Sequence, residues 1–225
     1  MELEIKVNTG ILSANEQKAL VNRSLFRKSG VFAINIMGSP GSGKTTVLEK
    51  TIDILAGKVR LAVIEGDIYT SKDAKRIEKH GVPVEQINTG GACHLDAKMV
   101  SGALNKFDLP GLDLMIVENV GNLVCPVEFD LGEDLKIAVL SITEGDDKPM
   151  KYPLLFRESA AVILNKMDIL EFTDVDLQAL RQDIQIINPG IKIFEVSART
   201  GQGMDQWTEW LTEWVNNNLK EKTVK

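Results

Sequence analysis

Only two cysteines, Cys93 and Cys125, occur in the 225 residues, too few for a disulfide framework. In a reducing compartment they are buried thiols, reactive thiols or metal ligands. No apolar stretch approaches the ~20 residues that span a bilayer. The opening residues MELEIKVNTG lack the basic run and apolar core of a secretion signal. A cytoplasmic protein with no membrane partner is expected. Positive charge is short as well: the formal net charge is -6 and the sequence pI is about 5.1. Such a chain gains nothing from counterion release, so nucleic acid is not expected as its main partner. Repeats and low-complexity tracts are also missing. What remains is 44% hydrophobic and 26% charged, the balance of one fairly large globular domain.

Two regions are expected, an N-terminal helical segment over 1–30 and a main domain over 31–220. Ser13 and Glu16 are spaced as a capping box at a helix start, Leu20, Val21 and Leu25 form an apolar stripe, and Gly30 supplies a stop. That helix is expected to cover the main domain or meet a partner subunit. From residue 31 short apolar runs alternate with helix-prone stretches. VFAINIM, RLAVIEG, VPVEQIN, LDLMIVEN, LKIAVLSI, AAVILNK and KIFEVSA are the strand candidates. Helices are expected after the first glycine-rich turn, around 71–80, from about 93 to 106, and over TDVDLQALRQDI. A closing amphipathic helix carries Trp207, Trp210, Leu211 and Trp214, read as core or interface packing. The alternation predicts an α/β fold with a mainly parallel sheet and helices on both faces. Ligands then belong at the carboxyl ends of the strands.

The motifs fall at those ends. Gly38-Ser39-Pro40-Gly41-Ser42-Gly43-Lys44-Thr45 matches G-x-x-x-x-G-K-[ST] between a strand and a helix. Its backbone N–H groups cradle phosphates, Lys44 reaches the β- and γ-phosphates, and the Thr45 hydroxyl binds Mg²⁺. Gly41, Ser42, Gly43 and Thr46 complete this nucleotide-binding stretch. Asn165-Lys166-Met167-Asp168 follows a later strand. An aspartate there accepts two hydrogen bonds from the N1–H and N2–H₂ edge of guanine, which adenine cannot supply. Lys166 can lay its aliphatic stem along the base. Ser197-Ala198-Arg199 can offer a backbone N–H to guanine O6. Glu118-Asn119-Val120-Gly121 stands where D-x-x-G is usual. Glu118 is expected on Mg²⁺ and Gly121 at the γ-phosphate. Asp67, in Glu65-Gly66-Asp67, is expected to hold Mg²⁺ or the attacking water, while Asp73 serves equally well as a helix-start residue. No glutamine follows Gly121, so hydrolysis of GTP should be slow.

Cys93 and His94 are adjacent in GGACHLDA, and Cys125 lies four residues beyond Gly121. Thiolate and imidazole together suit Zn²⁺, Ni²⁺ or Cu. The residue types leave two buried thiols and a surface histidine open as well, because no C-x-x-C spacing is present. If the helix begins near 93, its N-terminus also favours the Cys93 thiolate. His80 is expected to be a helix-end residue.

GSPGSGKTT, GACHLDA, ENVGNLVCP, TEGDDKP, NKMD and the SAR segment together resemble the hydrogenase nickel-incorporation (maturation) GTPase HypB family, over about residues 31–200. The resemblance implies a P-loop GTPase of the signal-recognition and MinD type that forms a GTP-dependent homodimer and aids delivery of Ni²⁺ to [NiFe]-hydrogenase. A hydrogenase maturation protein or the hydrogenase large subunit is the implied partner. Cys93, His94 and Cys125 are then the Ni²⁺ or Zn²⁺ ligands at the dimer interface. Some members carry an N-terminal cysteine motif or a histidine-rich tract, and this sequence shows neither. A urease-type nickel maturation GTPase and a P-loop small-molecule kinase are the alternatives.

Overall fold

A computed structural model describes residues 2–69 and 71–223. Helix α1 (Glu2–Ser29) leads into strand β1 (Phe32–Met37), α2 (Lys44–Leu55), β2 (Leu61–Asp67), α3 (Lys72–Glu78) and β3 (Val84–Asn88). Then come α4 (Ala97–Leu104), β4 (Leu114–Glu118), α5 (Cys125–Glu128), β5 (Leu135–Ser141), α6 (Lys148–Lys151) and α7 (Pro153–Glu158). The chain closes with β6 (Ala161–Asn165), α8 (Leu177–Ile187), β7 (Lys192–Glu195) and α9 (Met204–Thr223).

The seven strands form one sheet in the order β3-β2-β4-β1-β5-β6-β7, and every pairing is parallel. All seven expected strands are present. Those buried on both faces, such as β1 and β4, are the ones whose sequences are near-continuous apolar runs. Successive side chains alternate between faces. Ile34 and Ile36 pack beneath α2 and α9 with Val47, Leu48, Trp207 and Leu211. Ala33, Met115 and Val117 lie on the opposite face under α1 and α4 with Phe26, Leu95 and Val100. Met37, Ala138 and Leu164 extend that second face toward α7 and α8. Trp207 is fully buried and its indole N–H donates to Thr51 Oγ1 at 3.0 Å, while the partly exposed Trp214 stacks on Phe32.

The first helix departs from expectation in two ways. It begins at Glu2, so Ser13 and Glu16 lie inside it and cap nothing. Its end matches: Val31 N–H donates to Phe26 O at 3.0 Å and Gly30 N–H to Arg27 O at 3.1 Å, with Gly30 at φ 69°. This is a Schellman stop. The stripe of Leu20, Val21 and Leu25 faces outward, at 62%, 56% and 37% exposure. The buried side is Asn15, Ala19, Asn22 and Phe26. Asn22 Nδ2 donates to Ala97 O at 2.8 Å and Leu131 O at 2.9 Å, and Asn15 Nδ2 donates to Asp130 O at 2.8 Å. Polar side chains that satisfy buried carbonyls therefore dock this helix, an arrangement a search for apolar stripes passes over.

Among the described residues, no helix is long and apolar enough to cross a membrane.

Candidate functional site

The phosphate loop links β1 to α2 along the carboxyl edge of the sheet. Gly43 precedes the helix at φ 94°, a left-handed conformation that L side chains rarely adopt. Lys44 is buried, and its Nζ donates to Gly38 O and Ser39 O, both at 3.2 Å. Burial lowers its pKa, against the pull of Glu118, Glu144, Asp73 and Glu65. The Thr45 hydroxyl donates to Glu118 Oε1 at 2.7 Å.

Glu118 Oε2 and Glu65 Oε2 are buried without a hydrogen-bond partner. Desolvation, then the charge of Glu118, pushes Glu65 up to about 8; desolvation pushes Glu118 to about 7. Asp67 ends β2 and lines the same cavity of about 500 Å³, as do Asp73 and Gly121. Two orphaned carboxylate oxygens beside a hydroxyl, with Lys44 the near cation, are a donor set that fits a hard divalent cation such as Mg²⁺.

Two further residues reach this end, Arg76 from outside every motif and Glu144 from within TEGDDKP. Arg76 on α3 spans Glu49 (2.6 and 3.0 Å), Asp73 (3.0 Å) and Thr46 (3.2 Å), so it ties α3 to α2. Glu144 accepts the Ser39 hydroxyl, while its other oxygen accepts Ser141 N–H at 2.8 Å. Ser141-Ile-Thr-Glu144 is a capping box, and that S-x-x-E spacing was the available signal. Arg76 had none, since its partners are up to 30 residues away.

The base end adjoins. Asn165 Nδ2 donates to Ser42 O at 3.0 Å, and Ala198 N–H donates to Asn165 Oδ1 at 3.1 Å. This side chain thereby holds the phosphate loop, the NKMD turn and the SAR turn together. Lys166 takes φ 69° and its Nζ donates to Gly41 O at 2.8 Å. Asp168 Oδ1 accepts the Ser197 hydroxyl at 2.6 Å, which orients the carboxylate. Asn165, Lys166, Asp168, Ala198 and Arg199 line a second cavity of about 370 Å³, and Gly43, Thr46 and Lys166 belong to both walls. A nucleoside triphosphate would span the two.

Cys93, His94 and Cys125 converge, with one ligand atom from each lying within 4.8 Å of the others. Cys93 Sγ stands 3.6 Å from His94 Nδ1, and all three are half-buried. The His94 ring stacks on Phe129, with centroids 3.8 Å apart. Burial lowers the His94 pKa, which keeps a ring nitrogen free to ligate. The Cys93 contact first, then burial, raises the Cys125 pKa. Helix α4 starts at Ala97, capped by Asp96 accepting Met99 N–H at 2.7 Å. Cys93 therefore sits in the preceding loop, not at the helix start expected near 93. His80 follows α3 and its Nδ1 lies 2.6 Å from Asp53, away from this cluster.

A family model described as CobW/HypB/UreG, nucleotide-binding domain, matches residues 32–195. A hydrogenase maturation factor HypB of Azotobacter chroococcum is 49% identical over 92% of the chain and 68% of its own length. The crystal structure of HypB from Helicobacter pylori in complex with nickel superposes with a TM-score of 0.87 at 39% identity, covering 91% of this chain and 96% of that one. The crystal structure of the hydrogenase maturation factor HypB from Archaeoglobus fulgidus superposes with a TM-score of 0.85 at 40% identity, covering 90% and 99%.

Proposed function

The chain belongs to the CobW/HypB/UreG nucleotide-binding family, and from that premise we propose that it is a GTP-hydrolysing metallochaperone that binds nickel, or zinc, and aids nickel insertion into [NiFe]-hydrogenase. One observation carries this reading: Cys93, His94 and Cys125 converge just past the strand ends that also hold the nucleotide trench. A kinase would have no use for such a trio, nor for a guanine-reading NKMD.

Asp168 selects guanine by accepting from its N1–H and N2–H₂ edge, with Ser197 holding the carboxylate in place. Ala198 and Arg199 close over the base. Lys44 leaves its loop carbonyls for the β- and γ-phosphate oxygens, and the backbone N–H groups of residues 41–46 line the phosphates. Thr45, Glu118 and Asp67 would hold Mg²⁺, which when bound neutralises charge on the transferring phosphoryl group. Asp67 would also orient the attacking water. Without a glutamine after Gly121 turnover is slow, as befits a timer.

Gly121 follows the γ-phosphate, and Asn122-Leu123-Val124 joins it to Cys125. GTP fixes Cys125 relative to Cys93 and His94 and favours a two-fold homodimer that completes the coordination. GDP loosens it and lets the metal go to a maturation partner or the hydrogenase large subunit in the cytoplasm. Residues 1–30 act as an appended helical segment to the GTPase domain of 31–220. Incubation with Mg²⁺ and GTP should yield GDP and free phosphate in the absence of any acceptor, and dialysis against Ni²⁺ should load the protein. A phosphorylated small molecule as product, or no Ni²⁺ uptake, defeats the reading.

A further inference from the structure

The segment 122–124 serves Cys125 alone. Cys93 and His94 lie more than twenty residues before Gly121, so their link to the nucleotide must run through space. One side chain supplies it. Asn119, the second residue of E-x-x-G, is buried. Its side-chain oxygen accepts Val120 N–H at 2.9 Å and Leu95 N–H at 3.0 Å. Its amide NH₂ donates to Asn35 Oδ1 at 3.2 Å, and its backbone N–H donates to Ile36 O at 2.9 Å. A single oxygen thus grips both the loop that carries Gly121 and the loop that carries Cys93 and His94.

Leu95 makes that grip consequential. It directly follows His94, is fully buried, and packs its side chain over Gly66. A Cβ at Gly66 would lie 2.7 Å from Leu95 Cγ, so the two approach as closely as a missing side chain permits. Leu95 is accordingly clamped between the end of β4, through Asn119, and the end of β2, between Glu65 and Asp67. Any shift of Val120–Gly121 that re-aims the Asn119 oxygen moves the Leu95 N–H with it or leaves a buried donor unpaired, which is costly. Packed, hydrogen-bonded elements of this kind respond as discrete arrangements.

We propose that Asn119 is the positioning residue that transmits nucleotide state to the Cys93–His94 half of the metal site. This rests on the GTP-gated metal binding set out above. The test is to measure Ni²⁺ dissociation constants of the full-length protein with Mg²⁺ and either a non-hydrolysable GTP analogue or GDP, for the wild type and for Asn119→Ala. The wild-type ratio between the two nucleotide states should be about five- to a hundredfold, the usual range of coupling between sites. In Asn119→Ala it should fall to about one while Ni²⁺ per protomer is retained. A wild-type-sized ratio in the variant overturns the role of Asn119 and leaves gating intact; a wild-type ratio of one instead removes gating itself. Should the variant fail to fold, the Leu95 backbone amide of ¹⁵N-labelled wild type decides. Its shift or exchange rate must differ between the analogue and GDP states, and an identical signal overturns the proposal.

Discussion

Glu65 and Glu118 are register partners across β2 and β4, and each keeps one carboxylate oxygen buried without a partner at the same edge of the sheet. Their charges oppose each other, and burial makes both ions costly.

A pH signature follows. Both groups hold protons more tightly folded, near 8 and 7, than at their ordinary value of 4.5. Because the folded state binds more protons across that window, the pair weakens stability as pH rises from about 4.5 to 8. In the nucleotide-free, metal-free protein, Glu65→Gln should flatten the fall of Tm across that range. It should also raise Tm near pH 8. Parallel Tm profiles for wild type and variant would refute the assignment.

In the proposed function, base choice rests on Asp168. Asp168→Asn replaces an acceptor with a donor facing guanine N1–H, and should weaken GTP by about 2–3 kcal/mol, the scale for a hydrogen bond to a charged group. Xanthosine triphosphate should bind the variant better than GTP. Calorimetric titration with both nucleotides measures it, and equal affinity of the wild type for ATP and GTP would exclude guanine recognition.

In the proposed function, metal binding rests on the thiols. Cys93→Ser and Cys125→Ser should each remove most Ni²⁺ and Zn²⁺ binding. Loading of the wild type should release protons, since thiols must ionise to ligate and the Cys125 pKa is raised. Unchanged metal stoichiometry in the double variant would show that the ions bind elsewhere. Zn²⁺ is expected to compete well with Ni²⁺ in vitro, because a thiolate–imidazole site suits both.

The docking of α1 gives a stability contrast. Asn22→Ala removes the side-chain donor to the carbonyls of Ala97 and Leu131 and should cost about 1–3 kcal/mol. Leu20→Ala, on the outward stripe, should stay within about 0.5 kcal/mol. Urea denaturation separates the two, and a larger loss at Leu20 would contradict the orientation of the helix.

That same helix shows where the sequence was opaque. The inner strands were legible because burial on both faces leaves runs such as FAINIM with little polar interruption, while the edge strands β3 and β7 are only partly buried. The phosphate loop, NKMD and SAR were legible because each is contiguous and sits beside a strand. Asn15 and Asn22 were not, since their worth lies in carbonyls of residues 97, 130 and 131. Glu144 and Asn119 lie in quoted motifs, but their contacts escaped for the same reason: each acts through a partner 24 or more residues away. The start of α4 was placed too early because Asp96, its cap, lies inside GACHLDA, where ligand-type residues dominate the pattern.

In the proposed function, nucleotide and metal affinities depend on each other. A four-state titration measures Ni²⁺ binding without nucleotide, with GDP and with a GTP analogue, and analogue binding with and without Ni²⁺, while sedimentation follows oligomeric state. Linkage requires that the analogue tighten Ni²⁺ by the same factor by which Ni²⁺ tightens the analogue. The account predicts matching factors of about five- to a hundredfold, with the dimer favoured in the doubly loaded state. Identical metal affinity and oligomeric state with GDP, the analogue and no nucleotide would contradict it.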